Sequence, residues 1–251
     1  MKKNSYILLI FTLLILGGIA FATLFAVITP RDSNSSVSAE KEYATVVNLT
    51  TSKDMISLPQ PDTKGTMSLE EALLARRSIR NYSNQPLSAG EISQLLWSAQ
   101  GITNEQGFRT APSAGATFPL ELFLMANNVT DISKGIYQYN PHNNSLNLLH
   151  EKDLAAEVSR ASHSQSMIYE AGAVIIFGAV FERTTSRYGN RGERYVFNEV
   201  GHASQNVHLQ AAALNLGTVV IGAFQDHEVE QILNLDDQIR ILYMMPVGKI
   251  N

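Results

Sequence analysis

Apolar residues recur along this chain at two spacings, and each spacing predicts a kind of element. Between Glu193 and Leu216 they return every three or four positions, which predicts one long amphipathic helix that Gly217 ends. The apolar stripe consists of Val196, Val200, Ala203, Val207, Ala211 and Leu214. Two Ser-x-x-Glu capping boxes, beginning at Ser68 and Ser88, predict the starts of two further helices. The first of these runs to about Arg76.

Apolar runs predict the strands; some runs are continuous, and others lie on either side of a turn-rich segment. Ala173–Val180 is apolar on both faces, as is typical of a buried strand. Residues 136–139 and 146–149 flank a turn-rich segment, which predicts a hairpin. Further strands are predicted at 121–125, 218–221 and 239–247, and shorter helices at 152–161 and 226–233. The fold class is therefore α+β, a mixed, mainly antiparallel sheet covered by helices.

The first thirty residues differ in composition from the rest. Lys2 and Lys3 precede an uncharged apolar run from residue 6 to residue 29, which is long enough to cross a bilayer. This length favours an N-terminal transmembrane helix over a cleaved signal peptide, although Ala20-Phe21-Ala22 resembles a cleavage site. The two lysines favour a cytoplasmic N-terminus, so we predict a single-pass membrane protein whose main domain is extracytoplasmic.

These patterns divide the chain into three segments. Residues 1–30 are predicted to be a membrane anchor (or signal peptide), residues 31–66 a linker, and residues 67–251 the functional domain. The linker is rich in small polar residues and contains a proline pair that prevents regular helix. Within it, residues 43–49 could form a short strand that lies on the domain.

Composition and motifs exclude several classes of protein. The formal net charge is −4 and no basic stripe is interleaved with aromatic residues, so no nucleic-acid partner is expected. The chain has no cysteine, which fits an exported protein. Nucleotide-binding loops, the serine nucleophile elbow and the H-E-x-x-H motif are absent. Glu199 and His202 have the spacing of a di-iron ligand pair, but the sequence lacks the second copy, so no metal is predicted.

Two segments carry candidate chemistry. Residues 76–82 read Arg-Arg-Ser-Ile-Arg-Asn-Tyr, and three guanidiniums so close together suit an anion such as phosphate. The alternative is a solvated helix C-terminus, where positive charge is favourable. Residues 111–119 read Ala-Pro-Ser-Ala-Gly-Ala-Thr-Phe-Pro, and their small side chains would let the backbone approach a flat ring or an anion. The alternative there is a simple tight loop.

Together these two segments resemble the nitroreductase superfamily, and P-S-A-G-A-T-F-P-L-E-L is similar to its SagB-type, or thiazole/oxazole dehydrogenase, branch. Three later stretches support the resemblance, at 187–191, 199–206 and 217–224. It covers roughly Ser68 to the C-terminus. The resemblance implies an FMN-dependent oxidoreductase that forms a homodimer with two FMN sites shared between subunits. The long helix would then be the central dimer helix, its apolar stripe buried in the interface.

The resemblance also implies roles for particular residues. Arg76, Ser78 and Arg80 would hold FMN, with Arg77 as a helper, and Pro112, Ser113, Ala114, Gly115 and Ala116 would come from the other subunit. Ile221, Gly222 and Ala223 would lie near the flavin ring and its N5, Gln165 would contact the isoalloxazine, and Lys249 would be a late phosphate-binding cation.

The catalytic candidates are Tyr188 and Arg187. Members of the azole-forming branch often have a Lys-Tyr pair here, which supplies a base while hydride leaves the peptide substrate. Arginine stays protonated, so this departure weakens the azole reading and leaves FMN binding untouched. Tyr188 could instead form a wall of the substrate site.

Three functions remain open on the sequence. The first is a SagB-like dehydrogenase that transfers hydride through flavin N5 and acts on a small or peptide substrate. The second is a generic nitro or quinone reductase that uses NAD(P)H as reductant, which would be scarce outside the membrane. The third is a non-enzymatic, flavin-binding scaffold at the membrane.

Overall fold

The structure is a computed structural model that describes residues 55–251. These residues form one sheet with helices on both faces. The strands are β1 (Met55–Ser57), β2 (Leu120–Ala126), β3 (Gly135–Asn140), β4 (Ser145–His150), β5 (Ala173–Val180), β6 (Leu216–Thr218) and β7 (Ile239–Lys249). The helices are α1 (Leu69–Ala75), α2 (Ala89–Gln100), α3 (Ala155–Ala161), α4 (Met167–Glu170), α5 (Glu182–Tyr188), α6 (Arg191–Ala213) and α7 (Asp226–Leu233). A short 3-10 turn spans Ala114–Ala116.

The sheet has seven strands in the order β1-β4-β3-β2-β5-β7-β6, and every neighbouring pair is antiparallel. The predicted α+β class with a mainly antiparallel sheet is therefore confirmed. β5 lies between β2 and β7 and is buried along its whole length, as its apolar sequence predicts. Its alternate side chains enter two different cores because successive residues of a strand point to opposite faces.

One core lies between the sheet and helices α2 and α6, and the other between the sheet and helices α3 and α7. Phe177 of β5 packs in the first core with Leu95 of α2 and Val200 of α6. Ile176, the preceding residue, packs in the second core with Val229 of α7. The sheet is therefore covered on both faces, and its two edges are the places where loops and functional groups can approach.

Both predicted capping boxes are present. At α2 the Ser88 hydroxyl accepts a hydrogen bond from Glu91 N at 3.2 Å, and the Glu91 carboxylate accepts one from Ser88 N at 2.9 Å. The box at Ser68 has the same two bonds. These bonds satisfy backbone N–H groups that a helix N-terminus otherwise leaves without partners.

We expect Ser88→Ala to lower the free energy of unfolding by about 1 kcal/mol, because the substitution leaves the first turn of α2 without its cap. Urea denaturation would measure the loss. Ser186→Ala is the matched control, since Ser186 is exposed and caps no helix N-terminus, and it should stay within about 0.5 kcal/mol of the parent protein. Equal stability of the two variants would contradict the assigned role of the cap.

The long predicted helix is present as α6, but its end differs from the prediction. α6 begins at Arg191, after the break at Gly189 that separates it from α5, and it ends at Ala213 instead of Leu216. Asn215, at a φ of 56°, adopts the left-handed conformation that follows the helix, so the prediction that Gly217 is the stop was wrong. Gly217 lies inside β6, where a side chain would meet neighbouring isoleucines.

The apolar stripe of α6 packs within the chain itself. Val196, Val200, Ala203, Val207 and Ala211 are buried in the core between α6 and the sheet. The prediction that this stripe is the dimer contact was therefore wrong. Helix periodicity shows that one face is apolar, but it does not distinguish an internal partner from an external one.

The structure corrects the prediction of a membrane location. Over residues 55–251, no helix is long and apolar enough to cross a bilayer. The longest, α6, has 23 residues and carries charged side chains at Arg191, Glu193, Arg194 and Glu199. The predicted anchor, residues 1–30, and the predicted strand at 43–49 lie outside the described residues. Part of the predicted linker is ordered as the edge strand β1, which pairs with β4.

Candidate active site

The arginine-rich segment after α1 is attached to the edge of the sheet. Ile79 N donates to Thr218 O in β6 at 2.9 Å, and Ser78 pairs with Thr218 as a parallel bridge. The Tyr82 hydroxyl donates to two carbonyl oxygens, Ile79 O at 3.0 Å and Pro246 O at 3.2 Å. Burial raises the pKa of Tyr82, so this hydroxyl keeps its proton. The segment is therefore held in one conformation at both of its ends.

Two glycines allow this close attachment. A Cβ added at Gly217 would lie 2.8 Å from the Ile79 side chain and 2.7 Å from Ile250. A Cβ added at Gly248 would lie 2.6 Å from the Tyr82 ring. Because β6 and β7 present hydrogen atoms at these positions, the segment can pack directly on the strands.

The three arginines of this segment have different surroundings. Arg77 donates from Nη1 to Leu74 O at 2.9 Å and to Arg76 O at 2.7 Å, so it caps the C-terminus of α1. Arg76 and Arg80 form no ion pair with any carboxylate among residues 55–251. Arg76 lies near α6. Burial lowers the pKa of His208 in α6 to about 4, and the positive charge of Arg76 adds to this effect. Two guanidiniums thus remain available for an external anion.

The small-residue loop 112–116 is held from several sides. Gly115 has a φ of 63°, a left-handed conformation that favours glycine. The Ser113 hydroxyl accepts a hydrogen bond from Phe118 N at 2.9 Å, inside the turn. Arg187 at the end of α5 donates from Nη1 to Gly115 O at 2.8 Å, and the Tyr188 hydroxyl lies where a Gly115 Cβ would be.

Both catalytic candidates therefore lie against this loop. Arg187 also stacks near the Tyr188 ring, at 5.4 Å from its centroid, and Tyr188 makes an edge-on contact with Tyr195 at 5.1 Å. The guanidinium of Arg187 acts as a hydrogen-bond donor and a fixed positive charge beside Gly115. In this position Arg187 holds the loop and can stabilise negative charge nearby.

A third group of candidate residues meets at the turn after β6. Gln165 donates from Nε2 to Ala223 O at 2.9 Å, so these two separately predicted residues are neighbours. Ile221 is buried and forms a bridge with Met244 of β7. Gly222 is exposed, and the Tyr243 ring lies 3.3 Å from the position of an added Cβ.

Lys249 at the end of β7 is engaged by another element. Its Nζ forms an ion pair with Glu91 Oε1 at 2.5 Å, and its carbonyl accepts from Ser83 N at 2.8 Å. Burial opposes ionisation of Glu91, but the bonds from Lys249 and Ser88 hold its pKa below the usual range. Lys249 thus lies next to the arginine-rich segment, and its ion-pair partner among the described residues is Glu91.

The two largest candidate segments contact α6 at different points. The loop 112–116 approaches Glu199, while Arg76 approaches His208. Nine residues of helix separate these points by about 14 Å, at 1.5 Å per residue. One chain therefore presents two separated half-sites along the same helix.

Sequence reasoning missed a buried polar cluster beneath the loop. Glu199 is 2% exposed, Gln100 of α2 is 1% exposed, and both face Arg109 in the loop after α2. In the sequence Glu199 stands out only for its E-x-x-H spacing with His202, and no group of three or more possible metal ligands occurs in residues 55–251. The available signal was its helical spacing from Val196 and Ala203, which places a carboxyl group on the face of α6 that the sequence predicts to be buried.

Comparison with known proteins shows the family of this chain. Residues 73–249 match the Nitroreductase family, and the chain belongs to that family. It is 42% identical over 196 residues to a nitroreductase-like protein of Methanocaldococcus jannaschii, covering 78% of this chain and 98% of the relative. It is 27% identical over 158 residues to the microcin B17-processing protein McbC of Escherichia coli, covering 61% of this chain and 58% of the relative.

A solved structure agrees with this assignment. The fold superposes on a nitroreductase-like protein of Ralstonia eutropha JMP134 with a TM-score of 0.70 and 27% identity, covering 81% of this chain and 92% of the other. The protein is therefore an oxidoreductase enzyme of the nitroreductase family. The alternative of a non-enzymatic scaffold was wrong.

Proposed function

We propose that this protein is an FMN-dependent oxidoreductase of the SagB-like type, which acts on a small or peptide substrate. The observation that carries the proposal is the segment 76–80, fixed to the sheet edge by Ile79 while Arg76 and Arg80 lack carboxylate partners among the described residues. Paired guanidiniums on a rigid backbone suit a phosphate monoester, because their planar donors match its oxygens.

The residues on the chain fit a flavin. Gly115 and Gly222 expose backbone where a flat ring could approach, and both are exposed in this chain. Gln165 donates from Nε2 to Ala223 O and to Ser162 O, so its side chain is fixed at the turn after β6 and gives this turn a polar edge. When bound, FMN would supply hydride transfer through its N5.

The protein's own contribution is binding, orientation and electrostatics. Arg76, Ser78 and Arg80 would hold the phosphate end and the ribityl chain. The backbone of the loop 112–116 would cover one face of the ring, with Arg187 fixing Gly115 O. Positive charge near the ring favours an anionic reduced state, which makes transfer to the cofactor easier.

Tyr188 is the group we propose to contact the substrate. Its hydroxyl lies over Gly115, at the surface of the loop, and its ring is fixed by Tyr195. A phenol there can donate a hydrogen bond or relay a proton, whereas Arg187 remains a cation. The similarity to McbC, named for microcin B17 processing, favours a peptide substrate.

We propose that the active form is a homodimer with the FMN sites shared between subunits. The two half-sites lie about 14 Å apart along α6, so a second copy would bring the loop of one subunit to the arginines of the other. Leu69, Leu73 and Leu74 of α1, beside Arg76, are 60%, 52% and 76% exposed. A second copy of the chain could bury this exposed apolar surface.

We expect Arg76→Ala and Arg80→Ala each to weaken FMN binding by about 10- to 100-fold, because a charge-assisted hydrogen bond contributes about 1.5–3 kcal/mol. Quenching of FMN fluorescence on titration would measure the affinity of the flavin-free protein. Arg77→Ala is the matched control: it removes the same charge from the same segment, but Arg77 caps α1. Full flavin occupancy in both test variants would refute the site.

A second candidate function is a nitro or quinone reductase that uses NAD(P)H. The 42% identity to the M. jannaschii nitroreductase-like protein favours it, as does the arginine at the position where azole-forming enzymes often have lysine. Anaerobic mixing of the yellow protein with NADH or NADPH separates the two functions, since rapid bleaching supports the reductase.

A further inference from the structure

An exposed surface beside the loop 112–116 combines arginine and aromatic side chains. Its members come from the end of α5 and the first two turns of α6: Arg187, Tyr188, Arg191, Arg194, Tyr195 and Phe197. The three arginines are exposed, and Phe197 is 49% exposed although its side chain is large and apolar. We call this set the arginine–aromatic surface.

One end of the surface lies at the candidate active site. Arg187 donates from Nη1 to Gly115 O at 2.8 Å, and the Tyr188 ring makes its edge-on contact with Tyr195 at 5.1 Å. Tyr195 belongs to α6, so this contact carries the surface from α5 onto the long helix. A molecule that touches Tyr188 therefore has α6 directly beside it.

The surface then crosses α6. Residues three or four positions apart are neighbours on a helix, so Tyr195, Arg191, Arg194 and Phe197 follow one another in this order. A hollow of about 510 Å³ lies on this path, lined by Asn190, Arg191, Glu193, Arg194, Phe197 and Asn198. Three steps between neighbouring side chains cover about 15 Å, which is the length of about five residues of extended peptide.

The far end of the surface is aromatic. The Phe197 ring packs edge-on against Phe181 at 5.5 Å between centroids, and the Arg240 guanidinium lies over the Phe181 ring at 4.3 Å. Phe181 is 9% exposed, so Phe197 is the ring that remains open to a ligand. Contact with Phe181 holds the Phe197 ring in place.

The charge of the surface is positive. Arg187, Arg191, Arg194 and Arg240 form no ion pair with a carboxylate within residues 55–251. Two exposed carboxylates, Glu182 and Glu193, lie on the same helices, so two positive charges remain in excess. The chain as a whole has a net charge of −4, which makes this surface a local exception. Such a surface attracts acidic partners.

We propose that the arginine–aromatic surface binds the stretch of a peptide substrate that flanks the reacting residue, and that it selects stretches in which acidic side chains lie near an apolar one. The inference rests on the proposed function, which places the substrate at Tyr188. Carboxylates of the peptide bind Arg191 and Arg194, whose planar donors match them. The apolar side chain packs on Phe197.

These α6 residues determine specificity and take no part in the chemical step. They lie away from Tyr188, so their contacts with the peptide are the same in the ground state and in the transition state. Such uniform binding lowers KM and leaves kcat unchanged. In the active protein, the double variant Arg191→Ala/Arg194→Ala should therefore raise KM for an acidic peptide at unchanged kcat.

Direct binding is the first measurement. The probes are two rhodamine-labelled peptides of ten residues that share one phenylalanine; one carries two aspartates within five positions of it, and the other carries asparagines there. Fluorescence anisotropy with the full chain should show the aspartate peptide binding about fivefold more tightly or better, because several exposed charge pairs add up. This advantage should shrink as salt rises from about 50 mM to about 500 mM.

The variants test the sign of the effect. Arg191→Ala and Arg194→Ala should each weaken binding of the aspartate peptide about two- to fivefold and leave the asparagine peptide within about twofold. Glu193→Gln should strengthen binding of the aspartate peptide by up to about twofold, since it removes a negative charge from the hollow. Arg160→Ala is the matched control, because Arg160 is an exposed arginine of α3, on the opposite face of the sheet.

The outcomes distinguish this inference from the proposed function. Equal affinity for the two peptides, or unchanged affinity in the double variant, would overturn the selection of acidic peptides. So would arginine substitutions that instead raise KM for NADPH or dissociate the dimer in sedimentation, since the surface would then bind a dinucleotide or a second copy. Selective binding of the aspartate peptide by a protein that takes up no FMN would support the surface and overturn the proposed function.

Discussion

Replacing Gly115 by valine should give a folded protein that binds FMN at least 100-fold more weakly than the parent. The residue has a φ of 63°, which strains any β-branched side chain. Its Cβ would also overlap the Tyr188 hydroxyl and lie 2.8 Å from Arg187 Nη1. Valine would therefore displace the loop from both side chains that hold its outer surface, and flavin titration would measure the loss.

Gly107→Val is the control for backbone strain. Gly107 also has a positive φ, 80°, but no atom lies within 4 Å of an added Cβ. Its substitution should cost a similar free energy of folding, about 1–2 kcal/mol, and leave FMN affinity within about twofold. If Gly115→Val bound flavin as tightly as Gly107→Val does, the loop would have no part in the cofactor site.

Phe177→Ala should lower the free energy of unfolding by about 3–5 kcal/mol, the usual cost of removing a buried aromatic ring. Phe177 is fully buried in the middle of β5, opposite Leu122 of β2 and Tyr243 of β7. The cavity would open in an inner strand of the sheet, where neighbouring strands on both sides limit relaxation. Urea or thermal unfolding would measure it.

Phe108→Ala is the matched control for this substitution. The chemical change is the same, but Phe108 is 57% exposed in the loop after α2. The loss there should stay below about 1 kcal/mol. Similar losses in the two variants would mean that β5 does not form the centre of the core.

Most of the fold could be predicted from the sequence because its signals are local. The capping boxes at Ser68 and Ser88 begin α1 and α2 as predicted, and the apolar run 173–180 is β5 residue for residue. These signals depend on groups within a few positions of one another. The stop at Gly217 was wrong because an asparagine two residues earlier already adopts the left-handed conformation.

The candidate site was less accessible to such reasoning. The partner of a side chain depends on long-range packing, so the sequence could not show that Arg77 caps its own helix or that Lys249 is paired with Glu91. It also could not show that the α6 stripe faces an internal core. The meeting of Gln165 with Ala223, which lie 58 positions apart, is a contact of the same long-range kind.

The attachment of the arginine-rich segment has a consequence for the order of assembly. The Tyr82 hydroxyl bonds Pro246 O, 164 positions later in the chain, and Ile79 is held by Thr218. During synthesis the segment leaves the ribosome long before β6 and β7 exist. Contacts of such high sequence separation form late, after the intervening chain has collapsed. The proposed cofactor site is therefore completed near the end of folding, and nascent chains that lack the last strand would have no edge to which the arginine-rich segment could attach.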